Sequence, residues 1–318
     1  MWLVTGGAGY VGSHVARAVK ARGIDVLVLD DLSTGCSHRL PTDIPLRTGS
    51  CGDVGELLAD LPRGTITGVI HLAGLKDARA SMDRPLDYWK VNVMEMICLL
   101  DWARKHQVPN FLFSSSSSVY GTASNVTEKD PYSPVSTYGE TKLVGEKVLR
   151  AASCGTGMRS VSLRYFNVIG ADTFPSAYDT GSDNVVPQFT RAAKAKSPLK
   201  IYGTTHDTQD GSCVRDFVDV RDVAEAHVLV VERLLEAPCE LPEVLNIASG
   251  QPSSVLQIAQ VFQSLLSDRD LRVVIEPAKP GDPAEIYART SPDLVQWGWQ
   301  PRFSIEESIA SHIAHLGF

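Results

Sequence analysis

Residues 2–30 place the tightest constraint on the fold. A short apolar strand, Trp2-Leu3-Val4, runs into Thr5-Gly6-Gly7-Ala8-Gly9-Tyr10-Val11-Gly12. Apolar residues then recur at Val11, Val15, Ala18 and Val19, the spacing of a helix buried on one face. Val26-Leu27-Val28-Leu29 is continuously apolar, as a parallel strand covered on both faces must be, and Asp30 ends it. The glycines fit both GxGxxG (Gly7, Gly9, Gly12) and GxxGxxG (Gly6, Gly9, Gly12). Without side chains, the turn lets a pyrophosphate approach the backbone at the positive end of the helix. A carboxylate at the second strand end accepts hydrogen bonds from ribose hydroxyls and repels a 2′-phosphate, so Asp30 selects NAD over NADP. Strand, turn, helix, strand and acid in this order specify a dinucleotide-binding unit.

The pattern continues. Gly68-Val69-Ile70-His71-Leu72-Ala73-Gly74 reads as a strand entering a small-residue turn, and 88–106 as one long helix. Asn110-Phe111-Leu112-Phe113 is a strand ending in the run Ser114 to Ser118. A helix over 136–154 and a strand over 160–164 follow. Strands alternating with helices predict an α/β fold, a Rossmann-type doubly wound parallel sheet, with ligands at the carboxyl ends of its strands. After about residue 170 the texture becomes more polar and irregular. The expected division is a NAD-binding domain, 1–170, to which 216–250 can contribute, and a smaller C-terminal α/β substrate domain, 171–318.

A net charge of −7 over 318 residues, with no basic block, excludes a nucleic-acid partner. No apolar run is long enough to span a membrane. The first strand starts at Trp2, leaving no room for a leader, so a cytoplasmic protein is expected. The six cysteines form no CxxC pair and read as reduced, mostly buried thiols. The histidines form no HExxH, and no metal site is expected. His312 and His315 share a helical spacing, read as a solvated terminal helix.

Chemistry concentrates in Ser136-Thr137-Tyr138-Gly139-Glu140-Thr141-Lys142. Tyr138 and Lys142, four apart, share one helix face. An ammonium beside a phenol favours phenolate, making Tyr138 a base. A serine hydroxyl at the preceding strand end completes a proton-transfer constellation.

These motifs resemble the extended short-chain dehydrogenase/reductase family, and within it the UDP-sugar 4-epimerases, over nearly the whole chain. Beyond the glycine turn and Tyr138/Lys142, the resemblance rests on Asp30-Asp31-Leu32-Ser33-Thr34-Gly35, Ala73-Gly74-Leu75-Lys76 and Arg164-Tyr165-Phe166-Asn167. Asp210 to Asp216 and Pro280-Gly281-Asp282 complete it. It implies NAD-dependent 4-epimerisation of UDP-glucose/UDP-galactose through a transient 4-keto sugar, with tightly held NAD and a homodimer. It implies Tyr138 as base, Lys142 as its tuner, and Ser116 as the catalytic hydroxyl beside Ser117. The cofactor would be bound by Gly6, Gly9, Tyr10, Val11, Gly12, Asp30, Asp31, Ser33, Thr34, Gly35, Ser50 and Cys51. Further cofactor contacts fall on Leu72, Ala73, Gly74, Lys76, Asn92, Ser114, Tyr138, Lys142 and Tyr165. The UDP-sugar would meet Lys76, Ser116, Ser117, Tyr138, Asn167, Asn184, Val185, Tyr202, Arg215, Lys279 and Asp282.

Three positions depart from the family pattern. The acid that usually follows glycine at the third strand end, contacting adenine, is here Ser50. Lys279 stands where an arginine is usual. A position that often limits sugar size is Ile286, or Tyr287 if shifted by one, which leaves UDP-N-acetylhexosamine and UDP-glucuronic acid 4-epimerases as alternatives. Dehydratases on this fold need an acid pair after the catalytic hydroxyl; Ser117 and Ser118 cannot serve. A non-catalytic NAD-binding regulator is disfavoured because Tyr138 and Lys142 are both kept.

Overall fold

Among the described residues fourteen strands follow one another: β1 (Trp2–Thr5), β2 (Val26–Asp30), β3 (Leu46–Thr48), β4 (Gly68–His71), β5 (Asn110–Ser116), β6 (Arg159–Tyr165), β7 (Asn167–Ile169), β8 (Leu199–Tyr202), β9 (Val214–Arg215), β10 (Phe217–Asp219), β11 (Val244–Ile247), β12 (Ser253–Ser254), β13 (Val273–Glu276) and β14 (Glu285–Ile286). The computed structural model describes residues 1–180, 184–236, 240–267, 269–279 and 282–315. Seven strands form one sheet in the order β11-β6-β5-β4-β1-β2-β3, every neighbouring pair parallel. Strand order reverses between β1 and β4, and the crevice this opens at their carboxyl ends is where such sheets bind ligands.

Alternate residues feed opposite faces. Val4 and Val28 pack with Val15 and Val231, beneath the helices Tyr10–Ala21 and Val220–Leu235. Leu3 and Leu27 pack with Met96, Leu100 and Phe113, beneath the helices Glu95–Lys105 and Thr137–Ser153. Each face is covered, which is why the strands read as unbroken apolar runs. A separate core around Phe189, Ile201, Phe217 and Phe262 joins β8 and β10 to the helices Val185–Lys194 and Val255–Leu265. β11, at 244–247, is the edge strand of the large sheet beside β6.

Three readings of the sequence need correction. The helix expected over 88–106 is Pro85–Trp89, a π-helical turn Lys90–Met94, then Glu95–Lys105. His312 is not solvated; it is 1% exposed and packs edge-on against Tyr178. Of the described cysteines, Cys51 and Cys213 are buried but Cys98 and Cys154 are exposed, so most thiols are not core. Cys239, Pro280 and Gly281 lie outside the described residues.

Candidate active site

The glycine turn is required sterically. Gly6, at φ 70°, leaves β1 so close to the β4 turn that a Cβ there would lie 2.5 Å from the Ala73 nitrogen. A Cβ on Gly12 would lie 2.1 Å from the Gly6 carbonyl oxygen. Gly9 starts the helix Tyr10–Ala21 with no side-chain cap and no acid in the first turn. The N–H groups of Tyr10, Val11 and Gly12 therefore lack intrahelical acceptors at the positive end of a helix dipole. At the end of β2, Asp30 is 6% exposed and accepts from the Ala8 and Leu32 nitrogens, both at 2.9 Å. Burial raises its pKa against these donors. Gly35 folds so tightly over Asp30 that a Cβ would stand 2.6 Å from Oδ1. Asp31, Ser33 and Thr34 are exposed beside it, with Ser33 Oγ donating to Asp31 at 2.6 Å. An uncapped helix start, obligatory glycines and a buried acid at the next strand end fit NAD.

The β4 turn is held from behind. Leu72 and Ala73 are half-buried and Gly74 is exposed. Asn92, expected at the cofactor, is engaged by protein: it accepts from the Leu75 nitrogen at 2.8 Å and donates to the Leu75 carbonyl at 3.0 Å and Thr141 Oγ1 at 3.1 Å. Lys76 Nζ lies 3.3 Å from Asp179 and 5.8 Å from the centre of the Tyr10 ring. Tyr165, also expected at the cofactor, is buried and bonds His227 Nε2 at 2.7 Å.

The sheet then assembles the triad. Ser136 caps the helix Thr137–Ser153, accepting from the Gly139 nitrogen at 3.1 Å. Gly139 lets the helix start press on the serine run, because a Cβ there would lie 2.7 Å from the Ser118 carbonyl. Buried Ser81 accepts from the Tyr138 nitrogen at 3.0 Å. Ser116, the last residue of β5, faces the Tyr138 hydroxyl and pulls its pKa down, and Ser118 lies 3.1 Å from Ser116 Oγ. Ser117 is half-buried next to it. Lys142 is 4% exposed; its Nζ donates to the Ser114 carbonyl at 2.8 Å and sits 5.8 Å from the centre of the Tyr138 ring. Burial presses Lys142 down to about 8, with Glu146 opposing.

One electrostatic expectation fails here. Burial raises the Tyr138 pKa above its usual value; Ser116 pulls it down and Tyr88 pushes it up, and Lys142 does not reverse the balance. The ammonium is itself desolvated and committed to a carbonyl, so the chain's own groups leave Tyr138 a neutral phenol.

Glu146, absent from the sequence reading, underpins this corner. It receives two hydrogen bonds from Arg164, at 2.8 and 2.7 Å, and one from Ser115. Arg164 is 0% exposed and also donates to the Tyr120 hydroxyl at 2.6 Å. The available signal was spacing: Glu146 follows Lys142 by one helical turn, on the Tyr138 face.

The expected UDP-sugar residues of the C-terminal half line one cavity of about 210 Å³. Asn167 enters from β7, its amide donating to the Asp216 carbonyl at 3.2 Å. Asn184 and Val185 begin the helix Val185–Lys194, and the Asn184 side chain caps nothing. Arg215 bonds Asp282 at 2.6 Å, rather than the neighbouring Asp216. Lys279 Nζ stands 4.0 Å over the Tyr202 ring. An adjoining cleft of about 700 Å³ shares Lys200, Tyr202 and Lys279 and adds Arg79 and Arg191. This is a cationic surface on a net-acidic chain, suited to a diphosphate.

The family model for the NAD dependent epimerase/dehydratase family matches residues 2–248. The chain belongs to this epimerase/dehydratase family. UDP-glucose 4-epimerase of Azospirillum brasilense is 36% identical over 308 residues, covering 94% of this chain and 87% of that protein. UDP-glucose 4-epimerase from Brucella ovis in complex with NAD superposes with a TM-score of 0.91 at 32% identity, over 99% of this chain and 98% of the other. The Bifidobacterium longum enzyme in complex with NAD+ and UDP gives 0.89 at 29% identity, over 99% and 98%. The likeness spans both halves of this epimerase/dehydratase-family chain.

Proposed function

We propose that the chain is a UDP-hexose 4-epimerase that uses bound NAD to invert C4 of UDP-glucose and UDP-galactose. The observation behind this is the hydroxyl pair Ser116 and Tyr138, over buried Lys142, at the same sheet edge as the uncapped glycine turn, with no acid at 117 or 118. A site so built moves a proton and positions a hydride transfer, but has no acid–base pair for elimination.

The residues divide the work. Tyr10, Val11 and Gly12 offer backbone N–H groups to the NAD pyrophosphate, and Asp30 accepts from the ribose. When bound, NAD would supply the hydride acceptor and donor for oxidation and re-reduction at C4. Once the positive charges of bound NAD and Lys142 have released the Tyr138 phenol proton to solvent, the phenolate would accept the 4-hydroxyl proton, with Ser116 as the bridging hydroxyl, and return it. Lys142 holds positive charge beneath the phenol. Arg215 and Lys279 neutralise the diphosphate, Tyr202 flanks the uracil, and Asp282 lies by the uridine ribose. Asn167 and Asn184 border the cavity that leads to the sugar.

The test is product analysis with UDP-glucose, UDP-galactose, their N-acetyl forms and UDP-glucuronate, without added NAD. Interconversion of the neutral hexoses supports the reading. Exclusive turnover of N-acetyl or uronate sugars replaces the substrate. Tyr138→Phe should lower turnover on the order of 10²–10⁴-fold; unchanged turnover would sink the catalytic assignment.

We further propose that the chain forms a homodimer through the helices over 85–105 and 137–153. Leu86 is 80% exposed, Met94 61% and Ile97 46%, an apolar face on a helix whose other side is core. No helix among the described residues is long and apolar enough to cross a membrane.

A further inference from the structure

The third strand ends without an acid, yet a carboxylate reaches that strand end from elsewhere. Ser50 follows β3 and caps the next turn, accepting from the Gly52 nitrogen at 2.9 Å. Its hydroxyl proton goes to Glu95 Oε2 at 2.7 Å. The serine hydroxyl is thus engaged on both sides, while the half-buried Glu95 keeps further lone pairs and makes no ion pair among the described residues. Glu95 is the first residue after the π-helical turn Lys90–Met94, three beyond Asn92. Asn92 holds the β4 turn and Glu95 meets the β3 end.

The position relative to the nucleotide follows from sheet geometry. Asp30 pairs with Thr48 across β2 and β3, and the Gly49 nitrogen donates to the Asp30 carbonyl at 3.0 Å. A ribose held by Asp30, with its pyrophosphate on the helix after β1, directs its base outward past β3. Burial pushes the Cys51 thiol up to about 12, and Glu95, Asp30 and Asp31 add to the rise. Three carboxylates at one edge repel phosphate and favour a neutral group rich in N–H.

We propose that Glu95 is the acceptor for the exocyclic amine of the NAD adenine, and that Ser50 is the strut that aims it. This rests on the NAD reading above, and makes Glu95 a base-specificity residue. Adenine offers an N–H₂ donor at C6; hypoxanthine offers a carbonyl there, which a carboxylate repels.

The experiment is calorimetric titration of NAD-stripped protein with NAD and with nicotinamide hypoxanthine dinucleotide. The wild-type protein should prefer NAD by about tenfold, the cost of one unmade hydrogen bond to a charged group. Glu95→Gln should bring the preference close to one, because an amide can donate to the 6-oxo group. Ser50→Asp added to Glu95→Gln should restore it by returning an acid to the strand end. The ratio is taken on one preparation, so a reduced folded fraction does not distort it. A wild-type preference retained in Glu95→Gln overturns the proposal, as does equal wild-type binding of the two dinucleotides. Wild-type protein that binds neither overturns the NAD reading itself.

Discussion

At the residue scale, the decisive competition is between burial and charge at Tyr138. Burial raises its pKa and also lowers Lys142 to about 8, so the lysine loses its proton before the phenol does. In NAD-free protein, Tyr138 should contribute no tyrosinate absorbance below about pH 10. The difference between wild-type and Tyr138→Phe titrations at the tyrosinate band measures this directly; a step near neutral pH would refute it. Activity should fall above about pH 8, as Lys142 gives up the charge beneath the phenol. A kcat/KM profile still rising through pH 9 counts against that role. The sequence identified the participants, since spacing alone puts Tyr138 and Lys142 on one face. It misjudged the sign at Tyr138, because desolvation depends on what covers a group, here residues distant in the chain. Glu146 was passed over for the same reason: its partners Ser115 and Arg164 arrive from β5 and β6.

At the element scale, the π-helical turn Lys90–Met94 shows how a helix can serve two strand ends. Both flanks keep the apolar spacing that buries Tyr88, Met96 and Leu100, so a single long helix is the natural reading of 88–106. The local widening changes which residues face the sheet edge, and that change leaves no mark in the apolar pattern. Such turns recur at functional sites. Here the outcome is Asn92 satisfying both backbone groups of Leu75. Asn92→Ala would leave a buried N–H, a carbonyl and the Thr141 hydroxyl short of partners, a loss of about 2 kcal/mol or more. Its urea midpoint should drop and its NAD dissociation constant rise together. A variant that loses stability while binding NAD as tightly as wild type would show that the turn does not depend on this amide. Strands β1, β2 and β6, by contrast, were legible to within a residue or two, because full burial on both faces favours apolar side chains; β5 runs three residues past its apolar stretch, through the buried Ser114, Ser115 and Ser116.

At the scale of the whole molecule, the exposed face through Leu86, Met94 and Ile97 should be covered by a second copy. Leu86→Glu should convert a dimer to a monomer in sedimentation; a wild-type protein that is already monomeric rejects the interface. The same scale governs the response to acid. Four histidines are held neutral by burial, His71 at about 3 and His14, His227 and His312 at about 4. In the unfolded chain they titrate near 6.5. Their contribution to stability is therefore present above about pH 6.5 and is lost as pH falls, because only the unfolded chain takes up these protons. Two carboxyls act oppositely. Burial raises Asp216 and Asp222 to about 6, so between about pH 6 and 4 the folded state binds two protons that the unfolded chain binds only lower. Four against two leaves the unfolded state ahead by about two protons near pH 5, at roughly 1.4 kcal/mol per pH unit for each. Urea midpoints should thus fall steadily from pH 7 to pH 5. A midpoint at pH 5 equal to or above that at pH 7 would mean that the buried carboxyls outweigh the histidines, reversing the predicted sign.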